Sequence, residues 1–375
     1  MKLQRLKQRN RCDSMLLCIV GVLVAIGLAF VYSASCYTSQ KDFGTPFYYV
    51  LKQAIGATVG LVGCLIFEKV DLEKLKKWSF PALCLAIVLL ILVFIPGIGI
   101  RIYGANRWIG FGSFSFQPSE FAKFAFVLFA AAYLSKHFEA TARKRLLPVA
   151  LAGGAICFLI LLEPNMSITM CLMAVMVIML FIGGMKLKYF AILAFPAAAF
   201  IVLLILIEPY RLNRLLAFLD PWASPKDEGY QLIQSFYALG SGGWFGLGFL
   251  NSRQKFEFLP FAESDFIFSV IGEEIGFVGA CGVLLLFVLL IYRGVKIALA
   301  AQDRFQCFLA TGIVSVIAVQ TVLNVAVVTG SIPPTGLPLP FISYGGSSLT
   351  VFLSSVGVLL NISRRSEVKH TLISN

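Results

Sequence analysis

The sequence contains very little charge for its length. Only 13% of its 375 residues are charged, and 59% are hydrophobic, whereas a soluble domain is about one quarter charged. This shortage excludes an ordinary water-soluble protein, because a soluble core cannot absorb so much apolar surface. We therefore expect an all-α fold, a polytopic membrane bundle of about ten transmembrane helices in a single domain over residues 1–375.

Histidine and paired cysteine are nearly absent as well. His137 and His370 are the only histidines, and both lie in segments that the charge pattern assigns to the cytoplasmic side. The nine cysteines are scattered singly, without a Cys-x-x-Cys pair or a metal-ligand spacing, so we interpret them as small membrane hydrophobes. A histidine base or His-ligated metal on the outer face is excluded, and chemistry there must use carboxylates.

Ten apolar runs are close to the roughly 20 residues that cross a ~30 Å hydrocarbon layer. They predict spans at 15–34, 50–67, 79–97, 119–135, 147–162, 166–184, 189–207, 266–292, 307–330 and 346–362. The first run lacks a small-residue cleavage site, so we expect an uncleaved signal anchor.

Lysine and arginine fall in alternate connections between these runs. They cluster at 2–11, 69–77, 136–145, 186–188, 293–304 and 364–369. The positive-inside rule places these segments, and with them both termini, on the cytoplasmic side. The same loops account for the net charge of +12 through attraction to anionic membrane lipid, so we expect no nucleic acid partner.

Three outer connections are long enough to build a site: 98–118, 208–265 and 331–345. In the second, Glu228–Leu239 places aromatic and aliphatic residues near one helical face, which predicts a helix on the membrane surface. Gly240–Gly248 follows no strand and precedes no P-loop lysine, so a tight, hinge-like turn is favoured over a phosphate loop. The third connection has Pro338 and Pro340 shortly before Gly345, and irregular backbone at that depth indicates a cavity lining.

Glu120 and Lys123 are ionisable residues at the start of the fourth span, three positions apart on one helical face. Charge in a membrane span is costly and marks function by default. Two interpretations remain open. The pair can be a structural ion pair that lowers the cost of insertion, or Lys123 can face a cavity and bind an anionic substrate.

Asp265 lies at the outer mouth of the eighth span, with Glu273 and Glu274 about two turns deeper. At 100° per residue Glu273 is about 80° from Asp265 and Glu274 about 180°, so only one of the two should share its cavity. As an alternative, Asp265 is only an N-cap. Otherwise a partly desolvated carboxylate at a cavity mouth has the raised pKa that a general base needs.

Several cations occupy the outer loops, against the usual sidedness of charge. A long loop can translocate regardless of its charge. Alternatively, some of these residues bind phosphates, for which arginine offers a bidentate fork. They are Arg101, Arg107, Arg211, Arg214, Arg253 and Lys255.

Five segments resemble one family. They are GANRWIGFGSFSFQPSEFAK, GYQLIQSFYALGSGGWFGLG, NSRQKFEFLP, SDFIFSVIGEEIGF and GLPLPFISYGGSSL. The sequence resembles the SEDS family (FtsW/RodA/SpoVE; shape, elongation, division and sporulation proteins) along nearly its whole length, and NSRQK and DPW are more similar to the division and sporulation branch. The resemblance implies a peptidoglycan glycosyltransferase in the bacterial cytoplasmic membrane, at the division septum. Its implied substrate is lipid II, and its implied partners are a class B penicillin-binding protein and other divisome proteins.

By motif position, the resemblance implies that Asp265 is catalytic. The residues that we then expect to bind substrate are Lys123, Arg107, Glu120, Arg253, Lys255, Glu273, Ser343 and Gly345. It implies no certain cofactor, and a divalent cation (Mg²⁺ or Mn²⁺) is compatible with it. The family usually has Leu-Pro-Glu before the aspartate, where this chain has Phe261, with Glu263 two residues later. An acidic residue that is common after Pro164 is also absent, because Asn165 stands there.

On this hypothesis Asp265 deprotonates the 4-hydroxyl of the acceptor GlcNAc, which attacks C1 of the donor MurNAc and displaces undecaprenyl pyrophosphate. Lys123, Arg107 and Arg253 would neutralise the leaving group. The rival functions are a lipid II flippase or other transporter, and a non-catalytic divisome scaffold. No pair of interrupted spans, the hallmark of transporters, is evident in the sequence.

Overall fold

The computed structural model describes residues 12–102, 105–111, 114–186, 188–189 and 209–373. Within them the chain is mostly helical, as predicted. The helices are α1 (Ser14–Phe43), α2 (Tyr48–Lys69), α3 (Leu72–Lys77), α4 (Ser79–Leu92), α5 (Pro118–Lys136), α6 (Ala142–Leu162), α7 (Met166–Ile182), α8 (Pro209–Leu219), α9 (Tyr230–Gly242), α10 (Ile267–Leu299), α11 (Arg304–Val328) and α12 (Gly346–Ile373).

The membrane bundle is confirmed. Six of the described helices are long and apolar enough to cross a bilayer, namely α1, α2, α6, α10, α11 and residues Gly346–Arg365 of α12. Helices α4 and α7 are apolar but shorter, and α5 carries Glu120 and Lys123 in its first turns. These nine helices correspond to nine predicted spans. The tenth, 189–207, lies outside the described residues apart from Tyr189, and the sidedness of the termini stays a prediction.

Helix α12 lies directly against α2 because glycine allows the two backbones to approach. A Cβ on Gly56 would lie 2.6 Å from the Cα of Gly346, and one on Gly357 would lie 2.2 Å from the carbonyl oxygen of Cys64. Small residues are the usual means of close helix packing in membranes. Any side chain at these positions would push the helices apart and displace the outer loop that leads into α12.

The first outer connection folds into a small antiparallel sheet, which the sequence analysis did not predict. Its strands are β1 (Gly99–Ile102), β2 (Ala105–Phe111) and β3 (Phe114–Phe116), in the order β1-β2-β3. Strand β3 continues through Gln117 into α5, where Pro118 occupies the first helical turn. The sheet thereby fixes Arg107, on β2, near the outer end of α5.

Helix α10 is interrupted at Gly276, which has φ 69° and ψ −173°. The glycine-rich turn after α9 lies against this break. Leu247 N donates to Glu273 O (2.9 Å) and Phe277 N donates to Gly243 O (2.9 Å). Irregular backbone in a membrane span is tolerated when protein satisfies its polar groups. The predicted turn is confirmed from Gly243 to Gly248, whereas Gly240–Gly242 form the end of α9. The amides of Leu247 and Gly248 donate to carbonyl oxygens of α10.

Candidate functional site

Asp265 lies in a tight turn before α10. The carbonyl oxygen of Phe261 accepts hydrogen bonds from Ser264 N (3.1 Å) and Phe266 N (3.3 Å). Phe261 has φ 59°, a left-handed conformation that is strained for a bulky residue. The helix begins at Ile267 with Phe266 in the N-cap position and no side-chain cap. The cap-only interpretation of Asp265 is therefore wrong, and so is the helical-wheel relation to Glu273, because Asp265 precedes the helix.

Asn324 of α11 holds this turn in place. Its Nδ2 donates to the carbonyl oxygens of Asp265 (2.8 Å) and Leu337 (2.6 Å). The half-buried Asp265 carboxylate lies over Gly336, where a Cβ would be 2.9 Å from Oδ2. One buried amide thus joins the Asp265 turn to the third outer loop, and a glycine leaves room for the carboxylate.

Lys123 is completely buried, with 0% of its side chain exposed. Its Nζ donates to Glu120 Oε1 (3.0 Å) and to Oε1 of Gln320. Glu120 also accepts from Ser348 Oγ (2.8 Å). The ion-pair interpretation of Glu120 and Lys123 describes this arrangement. A cavity-facing Lys123 does not occur in it, because every side of the ammonium is covered by protein.

Gln320 and Asn324 are the functional candidates that the sequence analysis missed. Gln320 Nε2 donates to Pro338 O (2.9 Å), so both amides bind the third outer loop from α11. They lie one helical turn apart and therefore on one face. A path of contacts runs from Asp265 through Asn324 to Leu337, and from the adjacent Pro338 through Gln320 to Lys123. Two amides four residues apart in an apolar span were the available signal.

Ser343 and Gly345 join the third outer loop to its neighbours. Ser343 Oγ accepts from Leu339 N (2.7 Å) and donates to Ser264 O. Gly345 N donates to Gln53 Oε1 (3.0 Å), and Gln53 Nε2 donates to Ser343 O (2.9 Å). Both residues thus hold the loop against the Asp265 turn and α2.

Glu263, the acid displaced from the family's usual position, lies in the same turn. Its carbonyl oxygen accepts from Tyr344 N (2.9 Å). Burial raises the pKa of its carboxyl above the usual range, and a backbone hydrogen bond opposes that shift. A carboxyl of raised pKa therefore lies two residues from Asp265.

Glu273 and Glu274 both fix the NSRQK segment. Glu273 accepts from Arg253 N (2.9 Å) and Ser252 Oγ (2.5 Å). Glu274 accepts from Ser252 N (3.2 Å) and lies 3.6 Å from Lys255 Nζ. Both glutamates thus hold one loop together, and the expectation that only one of them shares the cavity of Asp265 stays a prediction.

The two cations of this segment have different surroundings. Lys255 is buried, and its Nζ donates to Leu250 O as well as facing Glu274. The side chain of Arg253 is exposed, although its backbone amide is bound by Glu273. Lys255 thus stabilises the loop from inside. Arg253 is the cation of this segment whose side chain is accessible to a ligand.

Arg107 binds the connection between α6 and α7. Its Nε donates to Glu163 O (3.1 Å), and Nη2 donates to Pro164 O. The Glu163 side chain is buried, and in the described structure neither carboxylate oxygen has a hydrogen-bond partner. Burial raises the pKa of Glu163 to about 8, and Arg107 opposes the shift.

Asn165, the unusual residue after Pro164, has a structural role. Its side chain caps α7 by accepting a hydrogen bond from Ile168 N (3.3 Å).

The described residues do not form a complete metal site. No group of three or more His, Cys, Asp or Glu side chains among them is arranged to hold an ion. Mg²⁺ commonly takes one or two carboxylates and completes its shell with water and substrate phosphates. A site for such an ion would therefore need ligands from the substrate beside one or two carboxylates.

Comparisons with known proteins cover almost the whole chain. A family model described as cell cycle protein, FtsW/RodA/SpoVE, matches residues 13–368. The chain is 42% identical over 356 residues to stage V sporulation protein E of Bacillus subtilis (94% of this chain, 97% of the relative). It is 44% identical over 356 residues to a probable peptidoglycan glycosyltransferase FtsW of Trichlorobacter lovleyi (94% and 93%).

Two solved structures have the same fold. One comes from work on the structural coordination of polymerization and crosslinking by a peptidoglycan synthase complex. The chain matches it with a TM-score of 0.79 and 30% identity, over 95% of this chain and 98% of the other. The rod shape determining protein RodA of Thermus thermophilus matches with a TM-score of 0.69 and 26% identity, over 94% and 97%.

Proposed function

The chain belongs to the FtsW/RodA/SpoVE family of cell cycle proteins, and we propose that it is a peptidoglycan glycosyltransferase that polymerises lipid II with Asp265 as the general base. It is a multi-pass protein of the cell membrane. The single observation that carries the assignment is the placement of Asp265. Its turn is held by a buried amide, and its half-buried carboxylate lies over Gly336.

Asp265 is suited to proton removal because its backbone is fixed and its side chain is half-buried. In the proposed step its carboxylate takes the proton of the acceptor GlcNAc 4-hydroxyl. The hydroxyl oxygen bonds to C1 of the donor MurNAc, and the bond from C1 to the pyrophosphate oxygen breaks. The pyrophosphate leaves with the electron pair, so it needs neutralised charge more than a proton.

Arg107 and Arg253 are the cations that we assign to the pyrophosphate. Arginine binds phosphate oxygens in a bidentate fork, and Arg253 is exposed on the NSRQK segment. Lys123 is buried against Glu120 and Gln320, so we assign it to positioning: it supports Gln320, which shares a helical face with Asn324.

The test is Asp265→Asn in purified protein with its penicillin-binding partner present. We expect glycan polymerisation from lipid II to disappear, with the melting temperature unchanged. Asp42→Asn is the matched control, because Asp42 is exposed at the end of α1, the side opposite the predicted cytoplasmic amino terminus, and should not alter activity. Polymerisation by the Asp265→Asn variant would contradict the assignment of Asp265 as the general base.

Lipid II translocation is a second candidate because α10 is broken at Gly276. Transporters commonly use interrupted helices, in matching pairs. Among the described helices only α10 contains a non-helical residue, so the pair is not observed there. Liposomes containing the protein alone would decide between the two functions, since translocation without glycan product would favour the transporter.

The partner and the cellular site complete the proposal. The similar solved structure is a peptidoglycan synthase complex that couples polymerization to crosslinking. By analogy we propose a class B penicillin-binding protein as the partner and the division or sporulation septum as the location. Co-purification of the partner, and polymerisation that requires it, would test the first part.

A further inference from the structure

A separate cavity of about 410 Å³ lies on the side of the molecule that carries Asp265. One wall comes from the segment before α9 and from its first residues, and the other wall is formed by two prolines. None of its lining residues belongs to the site described above. The lining residues are Lys226, Asp227, Glu228, Tyr230, Gln231, Pro260 and Pro334.

The two prolines connect this cavity to Asp265. Pro260 immediately precedes Phe261, whose carbonyl oxygen closes the Asp265 turn. Pro334 lies two residues before Gly336, over which the Asp265 carboxylate is placed at 2.9 Å from the position of a Cβ. The proline wall is therefore continuous with the backbone that surrounds the proposed general base.

The chemistry of the lining favours an uncharged, hydroxyl-rich ligand. Asp227 and Glu228 are acceptors for hydroxyl donors, and the amide of Gln231 can both donate and accept. The ring of Tyr230 offers an apolar face. Two carboxylates against the single ammonium of Lys226 make the lining negative overall, which disfavours a pyrophosphate. A volume of about 410 Å³ is within the roughly 300–1,000 Å³ of small-ligand sites.

Backbone hydrogen bonds hold the turn that carries the acidic wall. Gly229 N donates to Ser224 O (3.2 Å), and Tyr230 N donates to Asp227 O (3.1 Å). A Cβ on Gly229 would lie 2.3 Å from Pro221 O, so only glycine fits this turn. A preformed backbone turn loses little entropy on binding.

We propose that this cavity is a saccharide subsite, which holds sugar rings of the glycan strand beside Asp265. The inference rests on the proposed function and deepens it. A polymerase that retains its strand between additions makes longer products, so the subsite would set strand length more than the rate of a single bond. The residues that act are Asp227 and Gln231, through hydrogen bonds to sugar hydroxyls and acetamido groups.

The first test measures binding without catalysis. Ligand-detected NMR on the detergent-purified chain would use a lipid-free GlcNAc–MurNAc tetrasaccharide as the probe. We expect Asp227→Asn combined with Gln231→Ala to weaken binding by about threefold or more, as for the loss of one or two hydrogen bonds. Asp42→Asn should leave the affinity unchanged. Equal affinity in all three proteins would overturn the subsite, whether or not the protein polymerises lipid II.

The second test measures product length in the complex with the penicillin-binding partner. The double variant should give glycan strands shorter by about threefold, with an initial rate close to that of the native protein. Unchanged strand length would contradict the proposal, as would loss of all polymerisation. Weaker co-purification of the partner with normal strands would identify the cavity as a protein-docking surface instead. If every variant, Asp265→Asn included, still polymerises lipid II, the proposed function is contradicted, whereas saccharide binding is not.

Discussion

Two pairs of a cation and a buried carboxylate, Lys123–Glu120 and Arg107–Glu163, differ in how the cation treats the carboxylate. In the Lys123–Glu120 pair the ammonium donates directly to the carboxylate, and the second carboxylate oxygen accepts from Ser348. In the Arg107–Glu163 pair the guanidinium donates to the backbone carbonyl oxygens of residues 163 and 164, while the carboxylate accepts no hydrogen bond within the described structure.

The difference indicates that the Lys123–Glu120 pair stabilises the core, whereas the carboxyl of Glu163 can change its charge. A buried ion pair with satisfied oxygens is costly to break from one side, because the remaining charge has no partner. A buried carboxylate without donors is instead held in its neutral form by desolvation. The Lys123 pair therefore supports the path to Asp265, and Glu163 makes the Arg107 region sensitive to pH.

The largest effect is expected from breaking the satisfied pair. Lys123→Met leaves the carboxylate of Glu120 buried without its cation, which should destabilise the protein by about 3–5 kcal/mol. It also removes the support of Gln320, so polymerisation should fall with stability. Thermal unfolding in detergent and a lipid II polymerisation assay would measure the two losses.

A double variant separates charge from shape in that pair. Adding Glu120→Gln to Lys123→Met removes the orphaned charge, and most of the lost stability should return. If the single and double variants melt at the same temperature, the Lys123 ammonium is not what compensates Glu120, and the contrast with Arg107 collapses.

The second prediction concerns the unsatisfied carboxylate. The pKa of Glu163 is raised from 4.5 to about 8, so between these values the folded protein holds a proton that the unfolded chain has lost. Stability therefore falls as the pH rises through this window, by roughly 2–3 kcal/mol between pH 5 and pH 7. Glu163→Gln is neutral at every pH and should remove this slope. The measurement is the melting temperature as a function of pH.

The control for that slope is an exposed glutamate. Glu139 has a side chain 85% exposed in its ion pair with Arg304, so Glu139→Gln should keep the pH dependence of the native protein. Parallel curves for Glu163→Gln and the native protein would show that Glu163 is ionised in the folded state, and the contrast between the two pairs would need another cause.

The sequence was sufficient for the nine spans that fall within the described residues. Apolar length alone predicts a membrane helix, because the bilayer imposes it. The break at Gly276 has no such signal, since it depends on the glycine turn that packs against it. The sheet before α5 was missed for a similar reason. Its strands have three to seven residues, too few for a reliable alternation pattern.

At the site, residue types were predictable but contacts were not. Asp265 and Lys123 follow from the rarity of charge near spans, yet the burial of Lys123 depends on Gln320 from another helix. Asn165 marked the α6–α7 connection as unusual, whereas the residue with unmet hydrogen bonds there is Glu163. Periodicity places side chains on a face, and it cannot say which distant backbone group will occupy that face.

The smallest effect is expected from a third pair, which is exposed. Lys41 Nζ lies 2.6 Å from Glu257 Oε2, with side chains 55% and 42% exposed. The distance is as short as any expected for an ion pair, but water and salt screen both groups, and ordering two long side chains offsets the attraction. Lys41→Ala should therefore leave the melting temperature and the polymerisation rate unchanged at moderate salt. A loss comparable to that of Lys123→Met would mean that burial does not decide the strength of these pairs. The contrast drawn between Glu120 and Glu163 would then lose its physical basis.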